Sequence, residues 1–167
     1  MVAQIRCTGG EVVLVDDTDL PLVEQHAWTV IVTHRGKAFS RQYAGNTRAG
    51  TTVYMHRLIL NAQPGFEVDH RDGNTLDNRR SNLRLATRSQ NQANRGKPRG
   101  HYSSQYKGVS RSTRGWVAQM TVDGKGVFIG LFATEVEAAK GYDAEILKHF
   151  GEFAFLNFPI FKSGRIA

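Results

Sequence analysis

Asp69 and His70 stand side by side, Asp72-Gly73-Asn74 follows at once, and the amides Asn82 and Asn91 lie further on. A carboxylate, an imidazole and amide oxygens are the groups that can hold one divalent cation beside one general base. An Asp-His pair by itself is more often a surface turn. The argument rests on the whole grouping.

The flanking residues say how such groups would be positioned. Val68 to His70 reads as the end of a short strand, and Asp72-Gly73-Asn74 is a strong turn signal because Gly and Asn tolerate positive φ. Leu83, Leu85 and Thr87 alternate with Asn82, Arg84 and Ala86, which predicts a second strand with one buried face. Arg88 to Asn94 is polar and predicts a short helix capped by Thr87 or Ser89. The order is strand, loop, strand, helix.

Met55-His56-Arg57-Leu58, Val68-Asp69-His70, Asp72-Gly73-Asn74, Asp77-Asn78, Ser81-Asn82-Leu83-Arg84 and Gln90-Asn91 together resemble the HNH nucleases, in particular the phage HNH homing endonucleases with their ββα-metal site. The resemblance implies that Asp69 and Asn91 bind the metal, that His70 is the general base and that Asn82 holds that base in place. Asn91 stands where many members carry His, and its oxygen suits Mg²⁺ or Mn²⁺ better than Zn²⁺. Such a metal would neutralise charge on the phosphorane-like transition state and assist the 3′-oxygen as it leaves. His70, with an ordinary pKa of about 6.5, would take the water's proton near neutral pH. His56 reads equally as a phosphate contact or a structural hydrogen bond. His26, His34, His101 and His149 have no matching partners.

The chain has 167 residues and a formal charge of +7, so a polyanionic partner is expected. From Arg71 to Lys125 there are 12 Lys and Arg against Asp72, Asp77 and Asp123, which puts the basic surface around and just after the candidate site. Arg84 and Arg88 are therefore read as DNA contacts. Cys7 is the one cysteine, which rules out an internal disulfide or a cysteine-built zinc site and points to a reducing compartment. No apolar run approaches a membrane span and no secretory pattern opens the chain. Cytoplasm is the expected location, that of the host cell if a phage encodes the protein.

Before the site, Glu11 to Val15 predicts a strand ended by Asp16-Asp17-Thr18-Asp19, with Asp17 or Asp19 capping a short helix through Leu22, Val23 and His26. Trp28 to Val32, Lys37 to Tyr43 and Thr51 to Tyr54 predict three further strands, the last two joined by a loop from Ala44 to Gly50. Arg35, Lys37, Arg41 and Arg48 on them are phosphate contacts or solvated charge. Met55 to Leu60 predicts a helix packing Leu58, Ile59 and Leu60 under the nuclease hairpin.

Arg95 to Ser104 mixes Gly, Pro and Ser with Arg95, Lys97 and Arg99, a linker composition that also suits a phosphate track. Beyond it, Tyr106 to Arg111, Trp116 to Val122 and Val127 to Phe132 predict three strands, with hairpin turns at Thr113-Arg114-Gly115 and Asp123 to Gly126. Thr134-Glu135-Val136-Glu137 is a capping box, and Val136, Ala139, Tyr142, Ile146, Leu147 and Phe150 recur at helical spacing up to Gly151. One helix should cover one sheet face, with Trp116, Ala118 and Met120 toward it and Val117, Gln119 and Thr121 away.

Tyr106-Lys107-Gly108-Val109, Trp116, Gly130, Phe132, Glu137-Ala138-Ala139, Tyr142-Asp143 and Leu156-Asn157-Phe158-Pro159 resemble the AP2 DNA-binding domain. That resemblance implies DNA contact by Lys107, Ser110, Arg114, Gln119, Thr121 and Phe128, with Arg111 close by. The plant pattern has Arg where this chain has Ser110 and Ser112, so base preference does not transfer.

The expected protein is an α+β DNA endonuclease. A small N-terminal antiparallel sheet leads into a ββα-metal HNH module over 1–94, then come a basic linker at 95–104 and an AP2-like three-stranded sheet with one helix over 105–160. It would use one divalent metal, Mg²⁺ or Mn²⁺, on double-stranded DNA, with no membrane and no required protein partner, as a monomer or a DNA-induced dimer. Its products would be a 5′-phosphate and a 3′-hydroxyl, from a nick or a double-strand break. The rival is a non-catalytic AP2-type DNA-binding regulator. An RNA-binding protein is disfavoured because no strand carries paired aromatics for base stacking.

Overall fold

The computed structural model describes residues 1–34, 40–98 and 100–159. Arg35, residues 37–39 of the third expected strand, Arg99 and residue 160 lie outside them. The chain divides into two compact units, Met1–Asn94 and Arg95–Ala167, each a mix of small antiparallel sheets and few helices. Among the described residues no helix is long and apolar enough to cross a membrane.

The first unit opens with a hairpin, β1 (Val2–Arg6) and β2 (Val12–Asp16), and a short helix α1 (Leu20–Val23) follows. The sequence suggested only the second of these strands, because Val2 to Arg6 alternates too weakly to stand out. Neither Asp17 nor Asp19 caps α1: both Asp19 oxygens accept hydrogen bonds from Arg80 instead. Next come β3 (Thr29–His34), β4 (Ser40–Arg48) and β5 (Thr51–Tyr54) in one antiparallel sheet. Ala44 to Arg48, expected as loop, is strand, and only Ala49-Gly50 turns. Positive φ at both residues (47° and 79°) gives the tight hairpin twist that lets the ladder run on.

Helix α2 (Met55–Ile59) leads to β6 (Glu67–His70), which pairs with β7 (Leu83–Ala86), and α3 (Arg88–Asn94) packs on both strands. Val13, Val15, Val23, Trp28, Met55, Ile59, Val68 and Leu83 make the core, with Leu58 and Leu60 partly buried against it. The expected alternation on β7 is inverted at its centre, where Arg84 and Ala86 are buried and Leu85 is 45% exposed. Arg84 lies opposite Asp69, and that pairing decides which face is covered.

In the second unit β8 (Val109–Ser112), β9 (Gly115–Val122) and β10 (Lys125–Phe132) form a sheet in the order β10-β9-β8, and α4 (Glu135–Phe150) packs on all three strands. Thr134 and Glu137 close the capping box reciprocally at 3.2 and 3.0 Å. The buried face of α4 is Ala138, Ala139, Tyr142 and Ile146, whereas Val136 and Leu147 are exposed. The apolar stripe is therefore narrower than the spacing suggested, and alanines let the helix sit close. The segment expected as a linker packs on this unit: Ser104 donates to Glu135 at 2.7 Å and Lys97 Nζ to the Tyr106 carbonyl at 2.8 Å.

Gly108 has φ +74°, and a Cβ there would lie 2.1 Å from the Tyr142 ring and 2.7 Å from the Gln119 carbonyl. Gly108→Ala therefore combines backbone strain with overpacking and should cost about 3 kcal/mol or more. Urea unfolding of the full chain measures it. A loss under about 1 kcal/mol, the cost of an ordinary glycine position, would mean that this contact yields easily.

Candidate active site

Asp69 and His70 are neighbours on β6, so their side chains leave by opposite faces. Asp69 turns toward α3. It is 3% exposed, its Oδ2 accepts from Arg84 Nε at 2.8 Å and pairs with Nη2 at 2.7 Å, and its Oδ1 accepts from Asn94 Nδ2 at 3.0 Å. Asn94 also donates to the His70 carbonyl at 3.0 Å, fastening the end of the helix to the end of the strand. Asn91, buried on the same helix, donates through Nδ2 to Glu67 Oε2 at 2.5 Å. That bond fixes the amide, and its Oδ1 accepts none of the described hydrogen bonds.

These residues fit a hard divalent cation. Asp69 Oδ1 accepts a single described bond and Asn91 Oδ1 accepts none, which gives two protein oxygens with capacity to ligate. No cluster of three or more His, Cys, Asp or Glu suited to a metal exists among the described residues. A cation here would take its remaining ligands from water and phosphate. Arg84, buried on Oδ2, already offsets the carboxylate's charge.

His70, 4% exposed, turns the other way, into a ring cluster. His56 stands edge-on to it with centroids 5.4 Å apart, and Tyr43 lies at 6.2 Å. Its Nε2 meets Asn78 Oδ1 at 3.2 Å. With the amide placed this way Nε2 carries the hydrogen, and Nδ1 is the nitrogen with a free lone pair. Burial pulls the His70 pKa down, opposed by the Asn78 bond and by Asp69 and Asp72. His56 is pushed down to about 3, first by burial and then by the His70 and Arg57 charges. Both rings are thus neutral at pH 7. The His56 side chain, buried, enters none of the described hydrogen bonds and packs against Tyr43 and Tyr54 as well.

The residue that meets His70 is Asn78, not Asn82. Asn82 Oδ1 accepts from the Asp72 amide at 3.1 Å and its Nδ2 donates to the Asp77 carbonyl at 2.9 Å, so it knots the loop between β6 and β7. Asp72 accepts from the Asn74 amide at 2.8 Å and Asn74 from the Leu76 amide at 3.2 Å, which stacks side-chain turns along that loop. Asn78 is fully buried. Its amide donates to the Leu14 carbonyl at 2.7 Å, and Leu14 donates back to Leu76 at 3.0 Å, a short parallel bridge from β2. Arg80 adds a clamp, with its amide on Asp16 and its guanidinium on Asp19 and the Ile59 carbonyl. The adjacent Asp77-Asn78 pair was visible in sequence, but only the docking on β2 aims Asn78 at the histidine.

The residues read as DNA contacts fall into three groups. Arg84 is withdrawn: it is 7% exposed and held by Asp69. Lys97 lies over the Tyr102 ring at 4.4 Å, and Lys107, half-buried, lies near Phe155 and Tyr142 at 5.6 and 6.0 Å, with its pKa lowered to about 8, chiefly by burial. Arg95 is half-buried in the same unit. Arg111 stacks on Trp116 at 4.9 Å, on the helix side of the sheet. Arg88, Arg114, Gln119, Thr121 and Phe128 are exposed, and Ser110 is half-buried.

Two paired strands, the loop between them and a helix carry Asp69, His70, Asn82 and Asn91, the arrangement expected of a ββα nuclease, and residues 53–93 match the HNH endonuclease family. The chain is 41% identical over 107 residues to an uncharacterised HNH endonuclease of Acanthamoeba polyphaga mimivirus, covering 62% of this chain and 54% of that protein. It is also 32% identical over 82 residues to an AP2-like ethylene-responsive transcription factor of Arabidopsis thaliana, covering 49% of this chain and 24% of the relative. The chain thus spans about half the length of the first of these relatives and about a quarter of the second. No solved structure gives a significant match.

Proposed function

We propose that the protein is a metal-dependent, homing-type DNA endonuclease that hydrolyses phosphodiester bonds to a 5′-phosphate and a 3′-hydroxyl, with the second unit docking on double-stranded DNA in the manner of an AP2 domain. The carrying observation is the buried His70, its Nε2 meeting Asn78 Oδ1, at the end of the strand that carries Asp69. Asp69 and Asn91 would hold one Mg²⁺ or Mn²⁺, which supplies charge neutralisation at the phosphate and help for the leaving oxygen. His70 takes the proton of the attacking water at Nδ1. Asn78 keeps Nε2 protonated, Asn82 holds the loop that presents Asn78, and Glu67 orients Asn91. Arg88 and Arg114, both exposed, would take backbone phosphates. Tying a cutting unit to a docking unit raises the local concentration of each at the DNA.

The test is conversion of supercoiled plasmid with Mg²⁺, Mn²⁺ or EDTA, by the native chain and by His70→Ala, with gel shift on the same samples. Cutting that needs the cation and His70, with binding retained in the variant, supports the reading, and nicked against linear product reports strandedness. Binding by both with cutting by neither, on plasmids that include source-genome DNA, would favour the regulator.

Asn78 is testable on its own. Asn78→Leu should lower kcat about tenfold to a hundredfold with KM unchanged, whereas Asn78→Asp, which keeps an acceptor, should retain most of it. Imidazole ¹⁵N shifts should place the hydrogen on Nε2 in the native protein and lose that preference in the Leu variant. Equal kcat in both variants would reduce Asn78 to a packing residue.

A further inference from the structure

We propose that the uncovered face of the β8–β9–β10 sheet selects A·T base pairs in the major groove, through apolar contact with thymine methyls and an amide contact to adenine. This rests on the second unit docking on DNA and adds the class of sequence it prefers.

A bulge builds the face. Phe128 pairs with Gln119 and Leu131 with Val117, with a register shift between Phe128 and Gly130. Strict alternation would send Phe128 and Leu131 to opposite sides, but the extra residue resets it, and both emerge on the side away from α4. Phe132, one residue on, is back on the helix side, where its ring blocks a Cβ at Gly141. Phe128 is 66% and Leu131 48% exposed. Val117 joins them across β9, and Ser110 lies beside Val117 on β8.

Charge selects the occupant. Arg114 stands at the rim in the β8–β9 turn, while α4 on the opposite side carries Glu135, Glu137, Asp143 and Glu145 against Lys140 and Lys148, a net negative helix. A polyanion is thus received on the sheet side. The middle of the face holds no cation, because Arg111 is stacked on Trp116 across the sheet. Guanine is read best by a bidentate Arg or Lys, and the middle of this face offers none. The thymine methyl is the apolar group on the major-groove edge, and Gln pairs with adenine N6 and N7. Phe128, Leu131 and Val117 match the first, and Gln119, next to Phe128, matches the second.

The experiment measures anisotropy of the full chain in EDTA on short duplexes that are A·T-rich, G·C-rich, or A·T-rich with uracil in place of thymine. The A·T duplex should bind about tenfold tighter than the G·C duplex, the uracil duplex should lose most of that gain, and Phe128→Ala should erase the difference while general binding persists. Equal affinity for the three duplexes, or a preference indifferent to the methyl, overturns the A·T inference alone. If Phe128→Ala, Gln119→Ala and Arg114→Ala combined leave every affinity unchanged, the docking reading fails with it. If sedimentation shows self-association that Phe128→Ala abolishes, the occupant is a second copy of the chain, which also overturns the proposal.

Discussion

His70→Ala is expected to cut about 10² to 10⁴ times more slowly than the native chain, the usual range for loss of a positioned proton acceptor. The imidazole is neutral at pH 7 because burial holds its pKa down, and its free nitrogen is defined by the Asn78 contact. None of the other rings is poised to replace it, since His56 has a pKa near 3 and packs among tyrosines. The ring is buried, so the variant also loses packing. His70→Gln, nearer in size, separates the two effects, and single-turnover cleavage of a folded variant is the measurement. Cutting within about tenfold of native would remove His70 from the chemistry.

Arg84→Ala should cost about 3–5 kcal/mol of stability, the range for stranding one partner of a buried ion pair. Arg84 and Asp69 side chains are 7% and 4% exposed, so water reaches neither well enough to screen the carboxylate left behind. Of the described hydrogen bonds, the one from Asn94 would remain on Asp69. An Asp69→Asn, Arg84→Met double variant should recover much of the loss, because a neutral amide beside an apolar chain leaves no buried charge. Urea unfolding of the single and double variants measures both. A cost below about 1 kcal/mol would place this contact with surface salt bridges.

The elements under the candidate site were legible where they depend on local pattern: the strand ending at His70, the turn after it, the strand through Leu83 and the helix carrying Asn91. The orienting role of Asn78 was not legible, because it comes from a strand more than sixty residues earlier in the chain. Arg84 misled for a related reason: a cation on a short alternating strand reads as surface, and only the β6–β7 register sets it against Asp69. That Lys107 and Arg111 lie against aromatic rings was not legible either, because those contacts come from residues brought near by the fold. In the second unit the strands, turns and capping box were all legible as local patterns. The side of Leu131 is not given by local pattern, because the bulge after Phe128 resets the alternation.

The bridge between β2 and the loop before β7 has a consequence for when the protein becomes dangerous to DNA. The histidine is aimed through two successive hydrogen bonds that begin at Leu14. A chain still leaving the ribosome can display the whole motif without an aimed base until residues 76–78 dock on a strand made much earlier. Loosening the first hairpin would undo that alignment just as surely. On the nuclease reading proposed above, cutting would report that the first unit has folded, and damage at its far end would silence it without touching a residue of the candidate site.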